Sequence, residues 1–147
     1  MSEQPDLSHI TPEQFAQLVA GADDELIVRT VRETGTRATL DRIFEGMGER
    51  FVPERAAGVD ARVQFSVTDQ GEEHPYALTI RDGTCQVERG PVEDPRVTLT
   101  TDLLSFVKLT AGKSGGPSLF LTGKLKIRGD LGFAPRIMGF FEIPNAG

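Results

Sequence analysis

The sequence predicts an α+β domain: a five-stranded, mostly antiparallel sheet with one wet face and one face covered by helices. Two observations carry that prediction. Between residues 11 and 53 the apolar side chains recur at helical spacing, and from residue 61 the period changes to two. In the alternating runs the apolar positions fall on one side, opposite Thr, Arg, Gln and Lys. At 147 residues the chain suits one domain with a real core.

The first element is announced by Thr11-Pro12-Glu13-Gln14: an N-cap Thr, Pro at the first helical position and Gln closing a capping box. Phe15, Leu18 and Val19 form its stripe, and Gly21 ends it. Asp23, Asp24 and Glu25 open a second helix, where the dipole favours negative charge. Leu26, Ile27, Thr30 and Val31 line its inner side, and Gly35 stops it. A third helix runs from about Thr36 to Phe51 on the stripe Leu40, Ile43, Phe44, Met47 and Phe51, closed by Pro53.

Ala61, Val63, Phe65 and Val67 alternate with Arg62, Gln64, Ser66 and Thr68 in the first strand. Tyr76, Leu78 and Ile80 form the second, Asp82-Gly83 signals a hairpin, and Cys85 and Val87 continue into the third. Arg96–Thr101 is a fourth strand, from which Thr101 or Asp102 caps a helix reaching Ala111. A Gly115-Gly116-Pro117 loop then returns the chain to a last strand over Leu119–Arg128. Beyond Gly129-Asp130, residues Leu131, Phe133, Ala134, Ile137, Met138, Phe140 and Phe141 give a helix apolar nearly all round. Pro135 within it requires either a kink or a start near Ala134.

Charge excludes one class of partner. The net charge of -6 arises in residues 1–60, where six Arg face twelve Asp and Glu, which argues against nucleic acid. The exception is the Lys124, Lys126, Arg128 face of the last strand. It reads as a solvated sheet face or, alternatively, as a contact for an anionic head group or membrane surface. A single cysteine, Cys85, fits a reducing compartment. Without a basic, apolar N-terminal signal, a peroxisomal C-terminal address or a membrane-spanning run, the expected location is the cytoplasm.

Catalytic and metal chemistry find little support. His9 reads as part of a loose N-terminus and His74 as a loop residue beside Pro75. Neither lies at metal-ligand spacing, so no metal or cofactor is expected. Gly112-Lys113-Ser114 lacks the earlier glycine of a phosphate loop and leaves a helix instead of entering one. Cys85 occupies an inward strand position and reads as a small core residue. Asp130 is accounted for as the N-cap of the last helix; as an acid it would have only Tyr76 as a candidate partner.

What remains is apolar surplus. Five of the nine phenylalanines lie at or beyond residue 106, namely Phe106, Phe120, Phe133, Phe140 and Phe141. With Leu103, Val107, Ile137 and Met138 they give the two late helices more apolar faces than one sheet covers. Together with the inward strand residues Leu78, Leu99 and Leu121, these side chains suit the wall of a cavity for an acyl chain or ring system.

The run Leu121-Thr122-Gly123-Lys124-Leu125-Lys126-Ile127-Arg128-Gly129-Asp130, followed by Ala134, Ile137 and Met138, resembles the closing signature of the sterol carrier protein 2 domain. The Asp82–Val87 hairpin and Val97–Thr100 leading into the Asp102 helix are similar to that family as well. The resemblance covers about residues 36–143, which makes 1–35 an N-terminal helical extension of a single domain spanning 1–147. It implies an apolar tunnel between the sheet and the C-terminal helices, no covalent cofactor, and a fatty acid, acyl-CoA, isoprenoid or sterol-like ligand. The missing peroxisomal address suits a bacterial-type stand-alone member. The expected function is non-catalytic lipid binding or carrying, with transient membrane contact left open and either a monomer or a homodimer. The alternative is an interaction module whose apolar C-terminal helix packs on a partner or on a second copy.

Overall fold

The computed structural model describes residues 11–142; His9 and the expected loose start of the chain lie outside them. Helix α1 (Pro12–Gly21) opens on the full Thr11–Gln14 capping box, and α2 (Asp24–Thr34) on Asp23, whose carboxylate accepts from the Leu26 N–H. Helix α3 (Thr36–Glu49) stops two residues before the expected Phe51, and Pro53 begins a 3-10 turn over Pro53–Ala56. Ile27, Thr30 and Val31 are buried on α2, whereas Leu26 stays partly exposed at the rim.

Five strands follow as expected: β1 (Ala61–Asp69), β2 (Glu72–Arg81), β3 (Thr84–Arg89), β4 (Val97–Asp102) and β5 (Leu125–Gly129). Their order is β3-β2-β1-β4-β5. Three of the four pairings are antiparallel and β1–β4 is parallel, so the sheet is mixed. Gln70-Gly71 and Asp82-Gly83 turn the two hairpins with both central residues at positive φ, the conformation that matches strand twist. The first of these hairpins extends β2 back to Glu72, which places His74 within a strand and buries it, not in a loop.

The register puts Val87, Leu78, Val63 and Val97 in one row across the sheet. Tyr76, Phe65, Leu99 and Ile127 form the next row on the same face. Helices α3 and α4 (Leu103–Thr110) cover that face; Asp102 caps α4 by accepting from the Ser105 N–H and hydroxyl.

The end of the chain departs most from expectation. Residues 119–121 are not strand: Gly116–Leu121 forms the short helix α5, and β5 begins only at Leu125. Pro117 presets the helical φ, and the Leu119 N–H already bonds Gly115 O at 3.1 Å. Gly123, at φ 77°, then breaks out into the strand. The last helix is also shorter than expected. α6 is a single turn, Ala134–Ile137, followed by a 3-10 turn over Met138–Phe140. Pro135 sits in the first turn of α6, where no helical donor is lost, so the chain delays the helix instead of kinking it.

Candidate functional site

The candidate residues converge on one apolar layer between sheet and helices. Leu78 comes from β2, Leu99 from β4, and Leu103, Phe106 and Val107 from α4; Phe133, Ile137, Phe140 and Phe141 come from the C-terminal segment. These nine belong to the buried cluster, and Met138 packs against it. Phe120 and Leu121 do not join it. They lie on the open side of α5, 48% and 82% exposed, while their neighbour Leu119 is buried.

Aromatic contacts organise the layer. The Phe106 ring stacks on Phe44 at 5.0 Å and meets Phe65 edge-on at 5.9 Å; Phe44 stacks on Tyr76 at 4.2 Å. Phe44 and Phe65 were legible as inward positions of a helix and a strand, but nothing in the sequence placed them against Phe106. A second group lies at the C-terminal end, with Phe133 and Phe140 5.9 Å apart and Phe51 and Phe141 5.7 Å apart.

Polar groups frame the layer. The Tyr76 hydroxyl donates to Asp41 Oδ1 at 2.6 Å, and Arg89 Nε donates to the same oxygen at 2.8 Å. The Arg89 guanidinium holds the Asp41 carboxyl below its ordinary range, while burial and then the Asp41 bond push the Tyr76 phenol upward. The Tyr76–Asp41 bond thus ties α3 to β2. Burial pushes the Cys85 thiol up to about 11, which makes it unreactive near neutral pH. His74 Nδ1 lies 3.4 Å from Arg37 Nη2. Among the described residues no three His, Cys, Asp or Glu side chains gather as a metal site, and no helix is long and apolar enough to cross a membrane.

The C-terminal segment is clasped at both ends. Arg96 Nε donates to Asp130 Oδ2 at 2.9 Å while its guanidinium lies 3.9 Å from the centre of the Phe133 ring. Asp130 Oδ1 accepts the Phe133 N–H at 3.0 Å, so the carboxylate closes the turn before α6 and pairs with Arg96; because the helix starts late, its N-cap is Phe133 and not Asp130 as expected. At the far end, the Val52 N–H donates to Phe140 O at 2.8 Å, the Glu142 N–H donates to Arg50 O at 2.8 Å, and Arg55 pairs with the Glu142 carboxylate. On the opposite side, α1 and α2 meet α4 across a shallow apolar cleft lined by Phe15, Leu18, Val19, Leu26, Ile27 and Val107. Lys113 Nζ closes α1 there by donating to Val19 O and Ala22 O, both at 3.1 Å.

Residues 40–142 match the model of the SCP-2 sterol transfer family. Among curated proteins, the chain is 29% identical over 103 residues to the oleate-induced peroxisomal protein POX18 of Candida maltosa, covering 68% of this chain and 81% of that one. It is 30% identical over 100 residues to sterol carrier protein 2 of Homo sapiens, covering 67% of this chain but only 18% of that protein. Among solved structures, the apo sterol carrier protein 2 of Yarrowia lipolytica aligns with a TM-score of 0.58 at 26% identity, over 71% of this chain and 88% of that one. The sec-alkylsulfatase Pisa1 of Pseudomonas sp. aligns with a TM-score of 0.65 at 23% identity, over 76% of this chain and 18% of that one. This last likeness shows a shared fold alone.

Proposed function

The chain belongs to the SCP-2 sterol transfer family, and on that premise we propose that it binds and carries a hydrophobic lipid without catalysis. The observation that carries the reading is the continuous apolar layer of Leu78, Leu99, Phe106, Ile137 and Phe140 between sheet and helices. An acyl chain, isoprenoid or sterol-like ring threaded through that layer would exchange water for Leu, Ile and Phe contacts, worth about 0.8 kcal/mol per methylene. The C-terminal segment is the natural cover, because its two clasps are surface ion pairs and backbone bonds at its ends. Phe140 and Phe141, both 2% exposed, are satisfied within the chain, which leaves a partner-packing role for that helix without free surface. The raised Tyr76 phenol and the Arg96-paired Asp130 supply no acid–base pair, which favours holding a ligand over transforming it.

Native mass spectrometry of protein purified without detergent tests the reading, repeated after delipidation and exposure to a mixed lipid extract. A mass excess of a few hundred daltons that disappears on denaturation is expected, with lipid in the organic phase. Bare protein mass in both preparations would overturn it.

A further inference from the structure

We propose that α5 and the β5 edge form a docking surface for an anionic membrane. All four lysines of the chain, Lys108, Lys113, Lys124 and Lys126, fall within nineteen consecutive residues. Counting residues 103–141, Lys108, Lys113, Lys124, Lys126, Arg128 and Arg136 oppose Asp130 alone, six against one, hence +5 in a chain of net charge -6. Two of those lysines are committed inside the fold: Lys108 pairs with Asp24 at 2.7 Å, and Lys113 closes α1. The other three basic groups of the turn and strand, Lys124, Lys126 and Arg128, are exposed and form no ion pair among the described residues.

Exposed apolar side chains immediately precede these cations along the chain. Leu121 and Phe120 close α5 at 82% and 48% exposure, and the turn at Thr122-Gly123 carries the chain straight to Lys124. That turn is fixed, since the Gly123 N–H bonds Phe120 O at 3.1 Å, the Lys124 N–H bonds Leu119 O at 2.8 Å and the Thr101 hydroxyl bonds Lys124 O at 2.8 Å. The surface is therefore preorganised: two apolar side chains on α5 and three cations on the following turn and edge strand β5, within nine residues.

Solvation of a polar edge accounts for the cations, since lysine on an edge strand blocks strand addition. It leaves the leucine and phenylalanine unexplained. An anionic bilayer accounts for both, because phosphates attract the cations while Phe120 and Leu121 enter the boundary between head groups and acyl chains. A symmetric pairing of two copies would set Lys124, Lys126 and Arg128 of one against the same cations of the other, whereas a bilayer presents phosphates to them. The purpose of docking rests on the lipid-carrying reading, but the surface itself does not.

Co-sedimentation with vesicles tests the proposal, comparing phosphatidylcholine alone with phosphatidylcholine and phosphatidylglycerol in equal parts. Binding is expected only to the anionic vesicles and is expected to weaken as salt shortens the screening length. The variant Lys124→Gln, Lys126→Gln, Arg128→Gln is expected to lose about fivefold per cation, about a hundredfold in all. It should still take up a fluorescent fatty acid from solution, so a failure of docking is distinguishable from a failure of lipid binding. Phe120→Ser with Leu121→Ser is expected to weaken anionic binding by about tenfold or more while the thermal transition stays cooperative, since neither side chain is in the core. Equal binding to both vesicle types, or variants that bind like the parent, would overturn the proposal. So would a concentration-dependent dimer that disappears in the Phe120, Leu121 variant while the parent ignores vesicles, because the surface would then belong to a second copy.

Discussion

At the scale of single residues, Gly129 and Asp130 show what the Gly-Asp corner is for. Gly129 has φ 97°, and a Cβ there would lie 2.5 Å from the Arg96 carbonyl oxygen, a backbone atom that cannot turn aside. Gly129→Ala combines left-handed strain with that collision and is expected to cost about 2 kcal/mol or more in urea unfolding; an unchanged midpoint would refute the contact. The next residue senses pH. The Arg96 bond, followed by the Phe133 N–H, holds the Asp130 carboxyl below its ordinary 3.8. Because the folded value is depressed, its contribution is full above the unfolded value and lost as pH falls through the folded one. The stability gap between parent and Asp130→Asn is therefore expected to be constant near neutrality and to close below about pH 4. Glu13, Asp24 and Asp41 are lowered too, so the comparison between proteins is diagnostic and the parent's acid limb alone is not.

At the scale of elements, what the sequence made legible depended on whether local chemistry and tertiary contact agreed. α1, α2 and the Asp82-Gly83 hairpin were readable because caps and left-handed turn residues act within a few positions. Within the expected strand, residues 119–124 misled, because Leu119 and Leu121 continue a period of two that Pro117 overrules; one of those leucines is buried and the other exposed. The C-terminal helix misled for a related reason: its apolar count reflects burial against Phe51 and the 3-10 turn at Pro53, not helical length. The bond from Lys113 to α1 is invisible in the sequence, since it joins residues more than ninety positions apart. It carries a prediction at this scale. Lys113→Met removes two charge-assisted bonds from the last carbonyls of α1, so amide exchange there should accelerate about tenfold while β1 and β2 keep their protection. Uniform acceleration across the sheet would mean that α1 is not a separable element.

For the whole molecule, the site is legible as a population of residues more than as a geometry. Phe106, Ile137 and Phe140 stand out in the sequence as apolar surplus of the two late helices, Leu78 and Leu99 as inward strand residues, and they meet in one cluster. Phe120, from the same surplus, and Leu121, expected as an inward strand residue, are exposed on α5, because apolar character does not say which side of an element is covered. That surplus leads to a quantitative expectation for ligand binding. If the layer takes an acyl chain lengthwise, each added methylene should improve affinity about fourfold, corresponding to about 0.8 kcal/mol, until the chain outgrows the layer. Saturation at about a hundredfold over Kd should then raise stability by about 2.7 kcal/mol, a Tm increase of about 5–10 °C for a domain of this size. Scanning calorimetry with fatty acids of increasing length is the direct check. A steady rise followed by a plateau would locate the end of the apolar layer. A shift independent of chain length would instead indicate recognition of the carboxylate by surface cations such as Lys124 and Lys126, and would remove the buried layer from the account of binding.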